Sequence, residues 1–144
     1  MKRKIILDTG PLVALLNLRD TYHDWAKVQF SEIEPPLLNC EAVISEACFL
    51  LRGFPGGPRA VLDLVNRGVI AIPFHLDAEA DPVMRLLTRY ASVPMALADA
   101  CLVRMTEQHA RSTVITLDND FLIYRKQGRQ VVPTIMPDVA KRNA

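Results

Sequence analysis

Four carboxylates are spaced along this chain so that they could work as one group: Asp8, Glu46, Asp99 and Asp118. Asp8 directly follows the apolar run ending at Leu7, and Asp118 directly follows the apolar run in "VITLDNDF". Glu46 sits in "EAVISEACFLL", at the margin of the stripe formed by Val43, Ala47, Leu50 and Leu51. Asp99 opens "LADACLVRMTEQHAR"; at 100° per residue it points away from Arg104, Glu107, Gln108 and Arg111, towards Leu102, Val103 and Thr106. Like charges drawn together raise one another's pKa and cost stability, so such a set calls for a cation. All-oxygen donors suit Mg²⁺ or Mn²⁺ rather than zinc or copper. The matching chemistry is metal-assisted attack of water on a phosphodiester. No nucleophilic triad is visible.

Taken singly, each acid has a plainer use. Asp8 could stabilise the following helix through its dipole, and Asp118 or Asp120 could cap the next one. Glu46 could pair with Arg52. Asp99 could be a first-turn helix charge, which explains its position along the helix but not its azimuth.

The elements that must position these acids alternate along the chain. Strands are expected at Lys4 to Leu7, Leu37 to Cys40, Val69 to Phe74, Thr113 to Leu117 and Val131 to Thr134, the last an edge strand because of Pro133. Helices are expected from Pro11 to Leu16, Tyr22 to Ile33, Glu41 to Arg52, Arg59 to Arg67, Asp77 to Tyr90 and Leu97 to Ala110, and a short one from Asp118 to Gln127 ended by Gly128. Gly53 to Pro58 reads as a loop. The strands are continuous apolar runs, the pattern of a parallel sheet covered on both faces, and so the fold class is α/β. In such sheets ligands bind beyond the carboxyl ends of the strands, where Asp8 and Asp118 fall.

Composition narrows the function classes. The chain has 144 residues, is 50% hydrophobic and 23% charged. That describes one globular domain, 1–144, rather than a disordered chain. A net charge of +1 gives no bulk signal for nucleic acid, so any such contact must be local. No apolar run approaches the ~20 residues of a membrane helix, and Asp8 interrupts the N-terminal run too early for a signal peptide. Cys40, Cys48 and Cys101 lack CxxC spacing and sit among apolar neighbours, which reads as buried free thiols in a reducing cytoplasm.

The motifs in order resemble a known family. "ILDTGPLVALLN", "ISEACFLL", "LADACLV" and "ITLDNDF" together resemble the PIN-domain ribonucleases of the VapC toxin type, across essentially the whole chain. The resemblance implies a three-layer α/β/α sandwich around a parallel sheet of about five strands. It implies an Mg²⁺- or Mn²⁺-dependent endoribonuclease, a homodimer, and inhibition by a small cognate antitoxin. Catalysis would fall to Asp8, Glu46, Asp99 and Asp118, with Asp8, Asp99 and Asp118 on the metal and Thr9, Thr116 and Asp120 in support. Asp120 is as readily a helix cap. Many relatives read "PMDLADA" where this chain reads "PMALADA", so Ala96 lacks a carboxylate that they carry.

Arg52, Arg59, Arg67, Arg85, Arg89 and Arg104 are available for an RNA backbone, with Arg104 and Arg111 read as part of a solvated face. Tyr22 and Trp25 read as a packing face in preference to a base-stacking platform. Met84 and Met95 read as core, and His75 and His109 as structural or surface residues. The competing function is a catalytically weak scaffold of the same fold that binds RNA or antitoxin, for which Ala96 is the single favouring residue. A haloacid-dehalogenase-like phosphatase would need Asp-x-Asp where Asp8-Thr9-Gly10 stands. A receiver domain would need an acid after the third strand, and "IPFHL" has none.

Overall fold

The computed structural model describes residues 3–138. The ends of the expected domain, residues 1–2 and 139–144, lie outside the described residues. The central sheet has five parallel strands in the order β3-β2-β1-β4-β7. They are β1 (Lys4–Leu7), β2 (Leu37–Leu38), β3 (Ile70–Ala71), β4 (Ser112–Ile115) and β7 (Thr134–Ile135). Among the described residues six helices surround it: α1 (Thr9–Leu16), α2 (His23–Glu32), α3 (Glu41–Leu50), α4 (Gly57–Asn66), α5 (Leu76–Arg89) and α6 (Leu97–Gln108).

Alternation along the strands divides the core between two faces. Ile6, Leu38 and Val114 point to one side, where Val83 and Leu86 of α5 and Ala98, Leu102 and Met105 of α6 meet them. Leu7, Leu37 and Ile115 point to the other, against Leu12 of α1, Ala47 of α3 and Val61 of α4. The result is an α/β/α sandwich, and the strand centres are apolar because both faces are covered, with Lys4, Ser112, Thr113 and Thr134 at the strand starts. Trp25 packs against the second cluster, as the packing-face reading expects. Cys40 and Cys101 are buried and Cys48 is half-buried, all as free thiols. Among the described residues no helix is long and apolar enough to cross a membrane.

Several sequence expectations are corrected. The expected helix from Asp118 to Gln127 is a 3-10 helix over Asn119–Leu122, followed by an antiparallel hairpin of β5 (Arg125–Lys126) and β6 (Gln130–Val131). Gln127 and Gly128 both take left-handed φ, +51° and +78°, which turns the chain back rather than ending a helix. The edge strand begins at Thr134 and not at Val131, and the Pro133 carbonyl accepts from the Val114 amide at 2.9 Å. Met84 is 61% exposed, since it adjoins the inward-facing Val83 on α5, whereas Met95 is buried as expected. Arg104 is not a free surface charge: its Nε donates to Glu79 Oε1 at 2.6 Å and its Nη1 to Glu107 Oε1 at 3.2 Å, tying α5 to α6.

Gly57 sits where α4 starts against the end of α3. A Cβ there would overlap the Leu51 carbonyl oxygen and lie 2.9 Å from Leu51 Cβ. Both are held by the core, since Leu51 is buried. Gly57→Ala is expected to destabilise the fold by about 3 kcal/mol through overpacking. The readout is a lowered urea midpoint at unchanged slope; an unchanged midpoint would contradict this packing.

Candidate active site

The strand order reverses at β1. From β1 the chain builds outward through β2 and β3, then returns as β4 on the other side of β1. The crevice between the carboxyl ends of β1 and β4 is therefore the switch point at which such sheets bind ligands. Leu7 pairs with Ile115 in register, and the Asp8 amide donates to the Ile115 carbonyl at 3.1 Å. This register brings Asp8 alongside Thr116. The Thr116 hydroxyl donates to Asp8 Oδ2 at 2.6 Å and accepts from the Asp118 amide at 2.9 Å. One buried hydroxyl thus ties the two strand-end acids together. Asp8 Oδ1 accepts from the Thr9 amide at 2.7 Å, so Asp8 also caps α1. Asp118 Oδ1 likewise accepts from the Asp120 amide at 2.9 Å and caps the 3-10 helix. Both acids therefore cap the element that follows them, and both line the same cleft.

Asp8 is 6% exposed. Burial pushes its carboxyl up to about 7, against the Thr116 and Thr9 hydrogen bonds, and the charges of Asp99 and Asp118 push the same way as burial. Asp99 is also raised, first by burial and then by Asp118 and Glu46, against donors from Ala96 and Tyr124. Asp120 is raised by burial and by Asp118.

Asp8, Thr9, Glu46, Asp99 and Asp118 line one cleft of about 250 Å³ with Gly10, Leu50 and Leu117. A Cβ on Gly10 would come within 3.2 Å of the Leu117 side chain, so the start of α1 closes tightly over the end of β4. All four principal acids thus share a wall although they come from four segments. Glu46 is exposed on the rim rather than turned inward. The alternative pairing of Glu46 with Arg52 is not formed: Arg52 Nη1 donates to the Phe49 carbonyl at 2.7 Å and its guanidinium stacks 3.8 Å over the Phe49 ring. Leu50 of the expected apolar stripe is exposed beside Glu46. Thr116 and Asp120 stand behind the lining, Thr116 fully buried and Asp120 half-buried. A larger cleft of about 440 Å³ lies at the amino ends of β1 and β2, between Arg3, Lys4 and the Glu32 to Pro36 segment. It gathers no acids of the quartet.

Two residues here are invisible to motif reasoning. Tyr124 is wholly buried and its hydroxyl donates to Asp99 Oδ2 at 3.1 Å. Asn39, also wholly buried, directly follows β2 and is not among the residues lining the cleft; its Oδ1 accepts from the Cys40 amide at 2.8 Å and its Nδ2 has no partner. The available signals were a tyrosine in an apolar run, which needs a polar partner when buried, and an asparagine closing the strand "LLNC". Ala96 occupies the N-cap of α6 and has no side-chain acceptor to offer. Only the reverse half of a capping box forms, from the Ala96 amide to Asp99 Oδ2 at 3.3 Å.

The donor chemistry fits a divalent cation. Buried and neighbouring carboxylates that raise one another's pKa gain most from a positive charge between them. The buried Thr9 hydroxyl in the cleft also has no partner. Among the described residues no three His, Cys, Asp or Glu side chains form a ready-made metal cage.

Residues 5–127 match the family described as the PIN domain. The crystal structure of Mycobacterium tuberculosis VapC20, described as a sarcin–ricin loop cleaving toxin, has the same fold, with a TM-score of 0.73. It is 22% identical in sequence, and the match covers 81% of this chain and 92% of that one. No curated protein matches the sequence.

Proposed function

This chain belongs to the PIN-domain family, and from that premise we propose that it is a divalent-metal-dependent endoribonuclease acting as one domain, the toxin of a toxin–antitoxin pair. The observation that carries the reading is the convergence of Asp8, Asp99 and Asp118 on one cleft at the switch point, where burial pushes the Asp8 carboxyl up to about 7. A fold kept only as a scaffold gains nothing from mutually repelling, half-desolvated acids.

In this reading Asp8, Asp99 and Asp118 hold Mg²⁺ or Mn²⁺, and Thr116 fixes Asp8 while accepting from the Asp118 amide. When bound, the cation supplies Lewis acidity, easing ionisation of the attacking water and offsetting charge on the phosphate and the leaving oxygen. Glu46, in water on the rim, accepts the proton of the attacking water. The cleft lining contains no His, Lys or Arg to act as acid or base. Arg52 and Arg59 are exposed beside the α3–α4 turn and serve the RNA backbone. Arg67 and Arg85 are engaged by Asp63 and Asp81, and Arg89 by the Gly128 carbonyl. The antitoxin and a homodimer complete the proposal by family likeness, and the relative's substrate places a sarcin–ricin loop RNA among the probes.

The test is incubation of antitoxin-free protein with total cellular RNA and with a sarcin–ricin loop oligonucleotide, in Mg²⁺, Mn²⁺ or EDTA. Discrete cleavage that disappears in EDTA and in Asp99→Asn is expected. Retained RNA binding without cleavage in any metal would favour the scaffold reading.

A further inference from the structure

Asp99 is the one acid of the quartet whose carboxylate is reached from the segment that follows the 3-10 helix. Tyr124 delivers that contact, 3.1 Å from its hydroxyl to Asp99 Oδ2. The ring has little freedom. It is wholly buried, with Tyr90 edge-on at 5.1 Å between centroids and Phe121 at 5.2 Å. The neighbouring backbone is pinned as well. The Arg125 amide donates to the Tyr90 hydroxyl at 2.9 Å, and Arg125 Nη1 reaches the carbonyls of Leu122, Ile123 and Tyr124 at 2.9 to 3.1 Å.

The other tether on Asp99 is weak. The Ala96 amide meets the same Oδ2 at 3.3 Å, and Ala96 itself offers no side-chain acceptor to stiffen the first turn of α6. Both donors converge on Oδ2, among the described residues no hydrogen bond is given to Oδ1, and Asp99 itself lines the cleft. Hydrogen bonds from outside a metal site fix the orientation of the ligands and are worth about 10- to 100-fold in metal affinity.

We infer that Tyr124 is a positioning residue of the site: its hydroxyl holds Asp99 Oδ2, which would leave Oδ1 available to a cation. The inference rests on the nuclease reading and adds to it a residue outside the acidic quartet. It also gives the segment from Asn119 to Val131 a task, since its packing sets where the hydroxyl stands.

Tyr124→Phe removes the hydroxyl and keeps the ring. Mn²⁺ binding, followed by calorimetry on the full chain, is expected to weaken about 10-fold in Tyr124→Phe while the melting temperature moves by no more than a few degrees. In an Asp99→Asn background the same substitution is expected to change Mn²⁺ affinity less than about twofold, because the hydroxyl acts only through Asp99. Wild-type affinity in Tyr124→Phe, or an equal loss in both backgrounds, would overturn the inference while wild-type cleavage leaves the nuclease reading standing. A wild-type protein that neither binds Mn²⁺ nor cleaves RNA would overturn both.

Discussion

Asp8→Asn is expected to cut RNA cleavage by about 10³-fold or more and, without metal at pH 8, to make the protein harder to unfold. The two effects have one cause. Asp8 is buried, its two oxygens accept from Thr9 and Thr116, and Asp99 and Asp118 add negative charge nearby. Losing a preorganised charge at the reacting centre removes stabilisation of the transition state, and single groups of that kind are worth about 10²- to 10³-fold or more. The same charge is a burden to the empty fold, and asparagine removes it while retaining an acceptor for the Thr9 amide. Cleavage rate and thermal melting in EDTA, measured on the same preparation, check both. A variant that is inactive and also less stable at pH 8 would mean that Asp8 is structural.

The second large effect follows from the direction of the Asp8 shift. The folded state keeps the Asp8 proton up to about pH 7, whereas the unfolded chain releases it near 3.8. Between those values the folded state binds more protons, so stability is fully present at low pH and falls as pH rises from about 4 to 7. The shift corresponds to about 4 kcal/mol across that window, or roughly 10 °C in melting temperature for a chain of this size. Asp99 acts in the same direction. A cation bound by these carboxylates reverses the penalty. Mn²⁺ is therefore expected to raise the melting temperature strongly at pH 8 and little at pH 5. Melting in EDTA at the two pH values, then with Mn²⁺, is the check. Equal gains at both pH values would show that the cation binds elsewhere.

How far this site could be read from sequence depended on which residues obey local rules. Asp8 and Asp118 were legible because an apolar strand followed at once by an acid is a one-dimensional signal, and the sheet topology turns it into a place. Asp99 was legible from helical azimuth: its neighbours Leu102, Val103 and Thr106 are indeed buried. Glu46 was half legible. Its helix and turn were right, but the stripe was drawn one residue too wide, and the exposed Leu50 put Glu46 on the rim. Gly128 was misread because a glycine after an apolar helical pattern signals a helix end as readily as a hairpin turn. Only the pairing of Lys126 with Gln130 separates the two. Tyr124 and Asn39 were not legible, because their roles depend on partners far away in sequence. The arginines were overcounted on two grounds: Arg67 and Arg85 follow Asp63 and Asp81 by four residues, a local helix pairing that was passed over, whereas Arg104 meets Glu79 only through tertiary packing.

The most direct measurement of the central claim is the chemistry of the ends left on the RNA. Water attacking the phosphate in a carboxylate site, with the 3′ oxygen leaving, produces 5′-phosphate and 3′-hydroxyl ends. A site that instead used the RNA's own 2′-hydroxyl would leave 2′,3′-cyclic phosphate and need no divalent cation. Ligation-based mapping of fragments made in Mn²⁺ is expected to find 5′-phosphate and 3′-hydroxyl ends at discrete positions, absent in EDTA and in Asp99→Asn. Cyclic phosphate ends that persist in EDTA would contradict a metal site built on Asp8, Asp99 and Asp118.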